Sequence, residues 1–252
     1  PKWSQPPVPY APTNAFNGWN QYSVYGGTNI VADDWVCTNA APVTDIHWWG
    51  SFIGWTSSDP PPTQIQPNGF IISIWNDVPK GAVEPFSRPG VCLTNIYCPA
   101  LVPTFVGWDY DPRNPSDPPD ACFKYDLDLA PDQWFRQAPG TNIYWISIAA
   151  QYLAGPNMDY PWGWKTRPRD TNSLAPDDAV RIIAPTAPIP GMPYYEGTNI
   201  WWPTPSDSWD MAFALTTRQC PPPTLTCLDL NVECGTAWSP PFAWDNCCNV
   251  AL

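Results

Sequence analysis

Phe123-Lys124-Tyr125-Asp126-Leu127-Asp128-Leu129 is the stretch that indicates the fold of this chain most clearly. Apolar side chains occupy every second position and charged side chains lie between them. This is the pattern of a β-strand with one buried face. A second stretch, Trp209–Leu215, alternates large apolar residues with Asp210 and two alanines. Both stretches are predicted to be half-buried strands.

Six further stretches have strand-like sequences bounded by Pro, Gly, Asn or Asp. They are Ile30–Thr38, Val43–Trp55, Gly69–Val78, Thr141–Tyr152, Asp178–Ala184 and Leu225–Cys234. Long Pro-rich loops are expected at Ser57–Pro67, Asp109–Asp120 and Ala184–Pro205. One or two helical turns are predicted at Pro131–Gln137. The prediction is an all-β fold, a β-sandwich of jelly-roll or immunoglobulin-like type.

Composition narrows the class of protein. The net charge of −12, with only 11 basic residues, argues against nucleic acid as a partner. No apolar run approaches the ~18 residues of a membrane-spanning helix, so membrane insertion is not expected. Nine cysteines with a single histidine favour disulfides over zinc, and therefore an extracellular or cell-surface location. The chain opens at Pro1 without an apolar leader, so an export signal is expected to have been removed.

A domain boundary is predicted at Cys220-Pro221-Pro222-Pro223, because a proline triplet cannot continue a strand ladder. The predicted parts are a Trp- and Pro-rich sandwich at 1–218, a linker at 219–223 and a short segment at 224–252. The last part is too short to bury a core of its own.

The cysteines allow several disulfide pairings. In the first domain we favour Cys92 with Cys98 and Cys37 with Cys122. Cys227 and Cys234 lie seven residues apart on a predicted strand, too far apart to pair with each other. Their expected partners are Cys247 and Cys248.

Trp48-Trp49 and Trp201-Trp202 are candidate binding residues. Neighbouring side chains on a strand face opposite sides, so one indole of each pair should leave the core. A loop of the same chain could cover it. The alternatives are a bound sugar or a neighbouring subunit.

The acidic loop after residue 108 is a weak calcium candidate, with oxygen ligands offered by Asp109, Asp111, Asn114 and Asp117. It lacks the central glycine and the bidentate glutamate of an EF-hand, and Arg113 competes for the carboxylates. Solvated turn residues are the competing interpretation. No cofactor is otherwise expected.

Lys165 stands between aromatic residues in Gly163-Trp164-Lys165-Thr166. A lysine here could reach solvent along its stem or form an ion pair, which are the common outcomes. It could also be buried and form a side-chain amide crosslink. The sequence leaves these alternatives open.

Several separated motifs carry a resemblance to a known family. They are Trp3–Pro7, Ala32–Cys37, Thr44–Ser51, Gly163–Thr166 and Asp210–Phe213. Residues 1–217 resemble an uncharacterised secreted domain family of planctomycete-type bacteria, which implies export and a β-rich fold but no reaction. A second resemblance is carried by Pro223–Cys227, Asn231–Thr236 and Asp245–Cys247. Through these motifs residues 223–252 resemble the start of a hyalin repeat, an immunoglobulin-like extracellular module. Because such modules are longer, the native chain is expected to continue past Leu252 or to end in a stub.

These observations favour a non-enzymatic extracellular structural protein that self-associates in a cell-surface layer, matrix or filament. Assembly would use aromatic surfaces and strand donation by the C-terminal segment. A carbohydrate-binding module that uses exposed tryptophans is the alternative. A secreted glycoside hydrolase ranks third, because its two carboxylates cannot be located from the sequence.

Overall fold

The computed structural model describes residues 1–11, 14–37, 41–138, 142–155, 159–175 and 177–218. These residues form sixteen strands and no helix, and hence no helix that could cross a membrane. The strands are β1 (Trp3–Gln5), β2 (Val8–Tyr10), β3 (Ala15–Asn17), β4 (Asn20–Tyr22), β5 (Ile30–Cys37), β6 (Asp45–Phe52), β7 (Gly69–Val78), β8 (Arg88–Pro99), β9 (Thr104–Tyr110), β10 (Ala121–Asp128), β11 (Asn142–Gln151), β12 (Trp162–Pro168), β13 (Val180–Ala184), β14 (Glu196–Asn199), β15 (Trp209–Met211) and β16 (Phe213–Thr216).

Two sheets make up the fold. The larger has the order β1-β16-β6-β10-β9-β3-β2, and β12 joins it by pairing with β4, β6 and β15. The smaller has the order β14-β13-β5-β11-β7-β8. All pairs are antiparallel except β3 with β9. The all-β class and the sandwich-like packing of two sheets are therefore confirmed.

The main core is built from aromatic residues of both sheets. Trp48 stacks on Tyr125, with ring centroids 5.4 Å apart, and Phe70 meets both rings edge-on. Trp162 packs against Phe70 at 5.0 Å. Such arrangements stabilise a core beyond simple area burial.

A second cluster lies apart from this core and includes Trp75, Trp145 and Tyr194. The segment at 190–195 packs here, since the Cys92 amide donates to Met192 and the Tyr194 amide donates to Gly90. Part of the predicted loop Ala184–Pro205 thus covers apolar residues of the smaller sheet, and part of it forms β14.

Most of the strands predicted within the described residues are present, but they begin or end at other residues than predicted. Gly69–Val78 has the predicted bounds. Two expectations are wrong. Pro131–Gln137 is not helical: a turn closes with the Gln133 amide donating to Ala130, and Phe135 then bridges to Val43. Trp209–Leu215 is not half-buried, because both of its faces are covered along β15 and β16.

Candidate functional site

The Trp48-Trp49 pair lies on β6, and its two indoles have different surroundings. Trp48 is completely buried. Trp49 is half-buried on the other face, and the Lys124 ammonium lies 5.9 Å from its ring centroid. As expected for adjacent strand residues, one indole leaves the core.

Trp201 and Trp202 do not follow the same rule. They lie outside regular strands, and their exposed fractions are 40% and 37%. A turn holds them, with the Trp202 amide donating to Asp207 and the Trp209 indole donating to the Trp202 carbonyl. Since period-two alternation applies only within a strand, both indoles face outward.

The cysteine pairing expected for the first domain is corrected. Cys92 and Cys98 are free buried thiols on the single strand β8, and six residues of extended chain separate them by about 20 Å. Cys122 is also free, and so does not bridge to Cys37, whose side chain lies outside the described part. Burial raises the thiol pKa of Cys92 to about 11 and that of Cys98 to about 12. Cys227, Cys234, Cys247 and Cys248 lie outside the described residues.

The predicted calcium loop connects β9 to β10. Arg113 binds Asp111 through two nitrogens, with Nη2 2.7 Å from Oδ2 and Nε 3.0 Å from Oδ1. Asp109 pairs instead with Lys165, and Asn114 and Asp117 are exposed. In the described part of the chain, no group of three or more His, Cys, Asp or Glu side chains could hold a metal. The two ion pairs occupy carboxylates that calcium would need.

This loop also borders a cleft of about 600 Å³. The cleft is lined by the rings of Trp19, Trp108 and Tyr110 and by the carboxylates Asp111, Asp117 and Asp120. Arg113 lies over the Trp19 ring, with its guanidinium carbon 4.2 Å from the centroid. Aromatic and polar groups therefore converge in one concave surface.

A buried polar cluster adjoins the cleft, and its residues Asn20, Asp109 and Asp120 also line the cleft. Lys165 on β12 is 0% exposed, and its ammonium lies 2.8 Å from Oδ1 of Asp109, which is 2% exposed. The other Asp109 oxygen accepts a hydrogen bond of 2.8 Å from Asn20 Nδ2. Asn20 Nδ2 also lies 3.3 Å from Asp120 Oδ2. One carboxylate thus holds both an amine and an amide.

Burial raises the pKa values of the two carboxyl groups in this cluster, Asp109 and Asp120. Desolvation raises the pKa of Asp109 to about 6, although Lys165 and Asn20 pull it down. Desolvation also raises the pKa of Asp120. A proton can therefore reside on Asp109 in mildly acidic solution.

Comparison with known protein families confirms that residues 1–216 form one domain of an uncharacterised family. It tests neither the planctomycete-type origin nor the hyalin-repeat resemblance of the C-terminal segment. A family described as a domain of unknown function (DUF7901) matches residues 1–216. The chain belongs to this family. Searches of curated proteins and of solved structures found no significant match.

The buried cluster lies entirely within the DUF7901 domain. Sequence reasoning identified Lys165 and Asp109, but assigned them to unrelated roles. It missed Asn20 and Asp120, because a single amide or carboxylate beside a turn has no distinctive pattern. The pairing of Lys165 opposite Asn20, which brings them together, is a property of the β4–β12 register.

Proposed function

We propose that this protein is a non-enzymatic structural subunit of an extracellular layer, matrix or filament, and that its copies assemble through exposed apolar surfaces. The observation that carries the proposal is the edge of β8 from Leu93 to Pro99. This strand is the last in the smaller sheet and is paired there with β7 alone.

Exposed apolar side chains lie along β8 on either side of the polar Thr94 and Asn95. The exposed fractions of Leu93 and Tyr97 are 42% and 51%, and Leu93–Pro99 contains no charged residue. Single-chain proteins usually protect such an edge with charges, bulges or a covering segment. Among the described residues, the 188–194 segment covers the Gly90–Cys92 part of this edge through backbone hydrogen bonds and the bridge from Val91 to Pro193. Beyond Cys92 it is held by the Asn95 side chain, which donates to the Pro188 carbonyl. A strand of another chain would complete the sheet.

The proposed occupant is the C-terminal segment of a neighbouring copy. Leu228, Leu230 and Val232 occupy every second position there, with Asp229 and Asn231 between them. This alternation suits a strand added at a sheet edge.

The extracellular location rests on resemblance. Residues 1–217 resemble a secreted planctomycete-type family, and residues 223–252 resemble the start of a hyalin repeat. Cys92, Cys98 and Cys122 are free, so disulfides in the described domain do not contribute to this proposal.

Sedimentation velocity of the full chain tests the assembly. We expect the mean mass to rise with concentration. A Leu93→Lys, Tyr97→Lys variant should stay monomeric, as should a Leu228→Lys, Leu230→Lys variant of the donated segment. Val102→Lys is the control, since Val102 is 89% exposed and outside the strand. A monomer at every concentration would contradict the proposal.

Carbohydrate binding is the second candidate function, and the cleft favours it. Sugars stack on aromatic rings, and their hydroxyl groups donate hydrogen bonds to carboxylates. Trp108, which is half-buried in the wall, is the expected platform. A glycan that changes tryptophan fluorescence in the natural chain and in Trp202→Ala, but not in Trp108→Ala, would support it. No response to any glycan on an array would contradict it.

A glycoside hydrolase ranks third. It needs two carboxylates placed on either side of the reacting bond. Asp120 borders the cleft, but Asp109 is buried and ion-paired with Lys165. Hydrolysis of a glycan that is lost in Asp120→Asn would favour this function over simple binding.

A further inference from the structure

We propose that Lys165 and Asn20 become joined by a covalent side-chain amide bond, and that Asp109 carries the protons for this reaction. The bond would form spontaneously within the folded chain, without the help of a separate enzyme. This inference concerns the interior of the domain and does not depend on the proposed assembly.

Strand pairing places the two reacting residues together. Lys165 on β12 is directly opposite Asn20 on the antiparallel strand β4. Directly opposed residues have their Cβ atoms about 5 Å apart on the same face of the sheet. The side chains of both residues reach the same carboxylate, that of Asp109.

Glycine allows this close approach. A Cβ at Gly163 would lie 2.9 Å from both the carbonyl carbon and the Cβ of Asn20. A Cβ at Gly18, just before β4, would lie 2.4 Å from the Thr166 carbonyl oxygen. Any larger side chain at these positions would separate β4 from β12. The two glycines thus keep Asn20 against Lys165.

The cluster is unusual as a purely structural ion pair. A fully buried lysine and aspartate lose their hydration, and apolar residues of similar size often stabilise a fold as well or better. Asn20 Oδ1 is also buried with no hydrogen-bond partner among the described residues. A reaction that converts the amine and the amide into one neutral amide would remove the buried ammonium charge.

The chemical step balances within these three residues. Asp109 takes a proton from the Lys165 ammonium, and the neutral amine attacks Cγ of Asn20. The Nζ–Cγ bond forms and the Cγ–Nδ2 bond breaks, while Asp109 passes this first proton to the leaving nitrogen. Asp109 then takes a second proton from the newly bonded Nζ and is left as the neutral carboxylic acid. The products are a secondary amide and ammonia, so no oxidant or cofactor is required. The Asp109 carboxylate contacts both the amine and the amide, and this shared contact supplies orientation for such a step.

The titration of Asp109 supports this role. Its pKa is raised to about 6 by desolvation, which lowers the cost of moving a proton from Lys165 to the carboxylate. Once the ammonium charge is lost, the largest of the factors that lower this pKa disappears. The Asp109 carboxyl should then stay protonated in its apolar surroundings.

Intact mass spectrometry of the recombinant full chain, after reduction and alkylation, tests the proposal. We expect a mass below that of the alkylated sequence by one ammonia, about 17 Da. A protease digest should contain one branched peptide that joins Asn20 to Lys165. Near-UV circular dichroism on the same sample shows that the chain is folded.

Three variants identify the reacting groups. Lys165→Arg keeps the positive charge but cannot form the bond, Asn20→Ala removes the acceptor, and Asp109→Ala removes the proton carrier. All three should have the mass of their sequence. Lys124→Arg is the matched control, because Lys124 also pairs with a carboxylate, Asp126 at 2.6 Å, but is 33% exposed. It should keep the loss of ammonia.

Two results would overturn the proposal. One is a folded natural chain with its full sequence mass. The other is a loss of one water, about 18 Da, with Lys165 joined to Asp109, which would make the aspartate the acceptor. If the variants fail to fold, the mass and the branched peptide of the natural chain decide the question alone.

Discussion

Trp48 and Trp49 show how adjacent residues of one type take different roles. Trp48 is fully buried against Tyr125 and Phe70, whereas Trp49 is half-buried beneath Lys124. Trp48→Ala should therefore lower the free energy of unfolding by about 3–5 kcal/mol through loss of packing. Trp49→Ala should lower it by about 1 kcal/mol or less. Urea unfolding checks both values, and equal losses would contradict the assignment.

The raised pKa of the Asp210 carboxyl group leads to a prediction of how the stability of the fold depends on pH. It is 5% exposed on β15, and desolvation raises its pKa from 3.8 to about 7, while Arg167 and Arg169 oppose the shift. Between these values the folded chain binds more protons than the unfolded chain, so this group makes stability fall as pH rises. Asp33 and Asp34 shift in the same direction, also through desolvation.

The Asp210→Asn variant should remove this loss of stability at high pH, because an amide does not ionise. We expect a gain on the order of 1–3 kcal/mol in the free energy of unfolding at pH 8 and little change at pH 4. Thermal unfolding across this pH range measures the difference between the variant and the natural chain. A variant that is less stable at pH 8 would show that the charged carboxylate is needed there.

At the residue scale, the sequence predicted alternation better than burial. Phe123 and Tyr125 are buried and Asp126 is exposed, as the pattern indicated. The same reasoning placed Asp210 on an exposed face, and there it was wrong. Alternation shows which side chains share a face, but other elements decide whether that face is covered.

At the scale of elements, Gly50 lets β6 and β12 pack closely. A Cβ at this position would lie 2.5 Å from the Gly163 carbonyl oxygen and 2.5 Å from the Trp162 ring. Gly50→Ala should lower the free energy of unfolding by about 1–3 kcal/mol, because the β6–β12 pair must separate. Denaturant unfolding measures this, and an unchanged midpoint would contradict the close contact.

The strands that could be predicted share a simple property: long apolar or alternating runs between turn residues. β5, β7, β10 and β11 are of this kind. β8, the longest strand, was missed because Pro89, Gly90 and Pro99 interrupt its pattern. These residues are tolerated at or near the ends of an edge strand, where fewer backbone hydrogen bonds are required.

At the scale of the whole molecule, the candidate sites come from chain segments that are distant in sequence. Asn20 and Asp109 lie 89 residues apart, and β12 then brings Lys165 to both. Composition predicted an aromatic β-sandwich, but it contained no information about this convergence. The pairing order of the strands determines it, and a single sequence does not specify that order.

The central claim is that copies of this domain assemble into an ordered extracellular structure. The most direct test is electron microscopy of the full chain, isolated from its native source without reduction, together with its mass. The account predicts filaments or sheets in which residues 224–234 of one subunit lie along β8 of the next. Dispersed single molecules with the β8 edge open would contradict it.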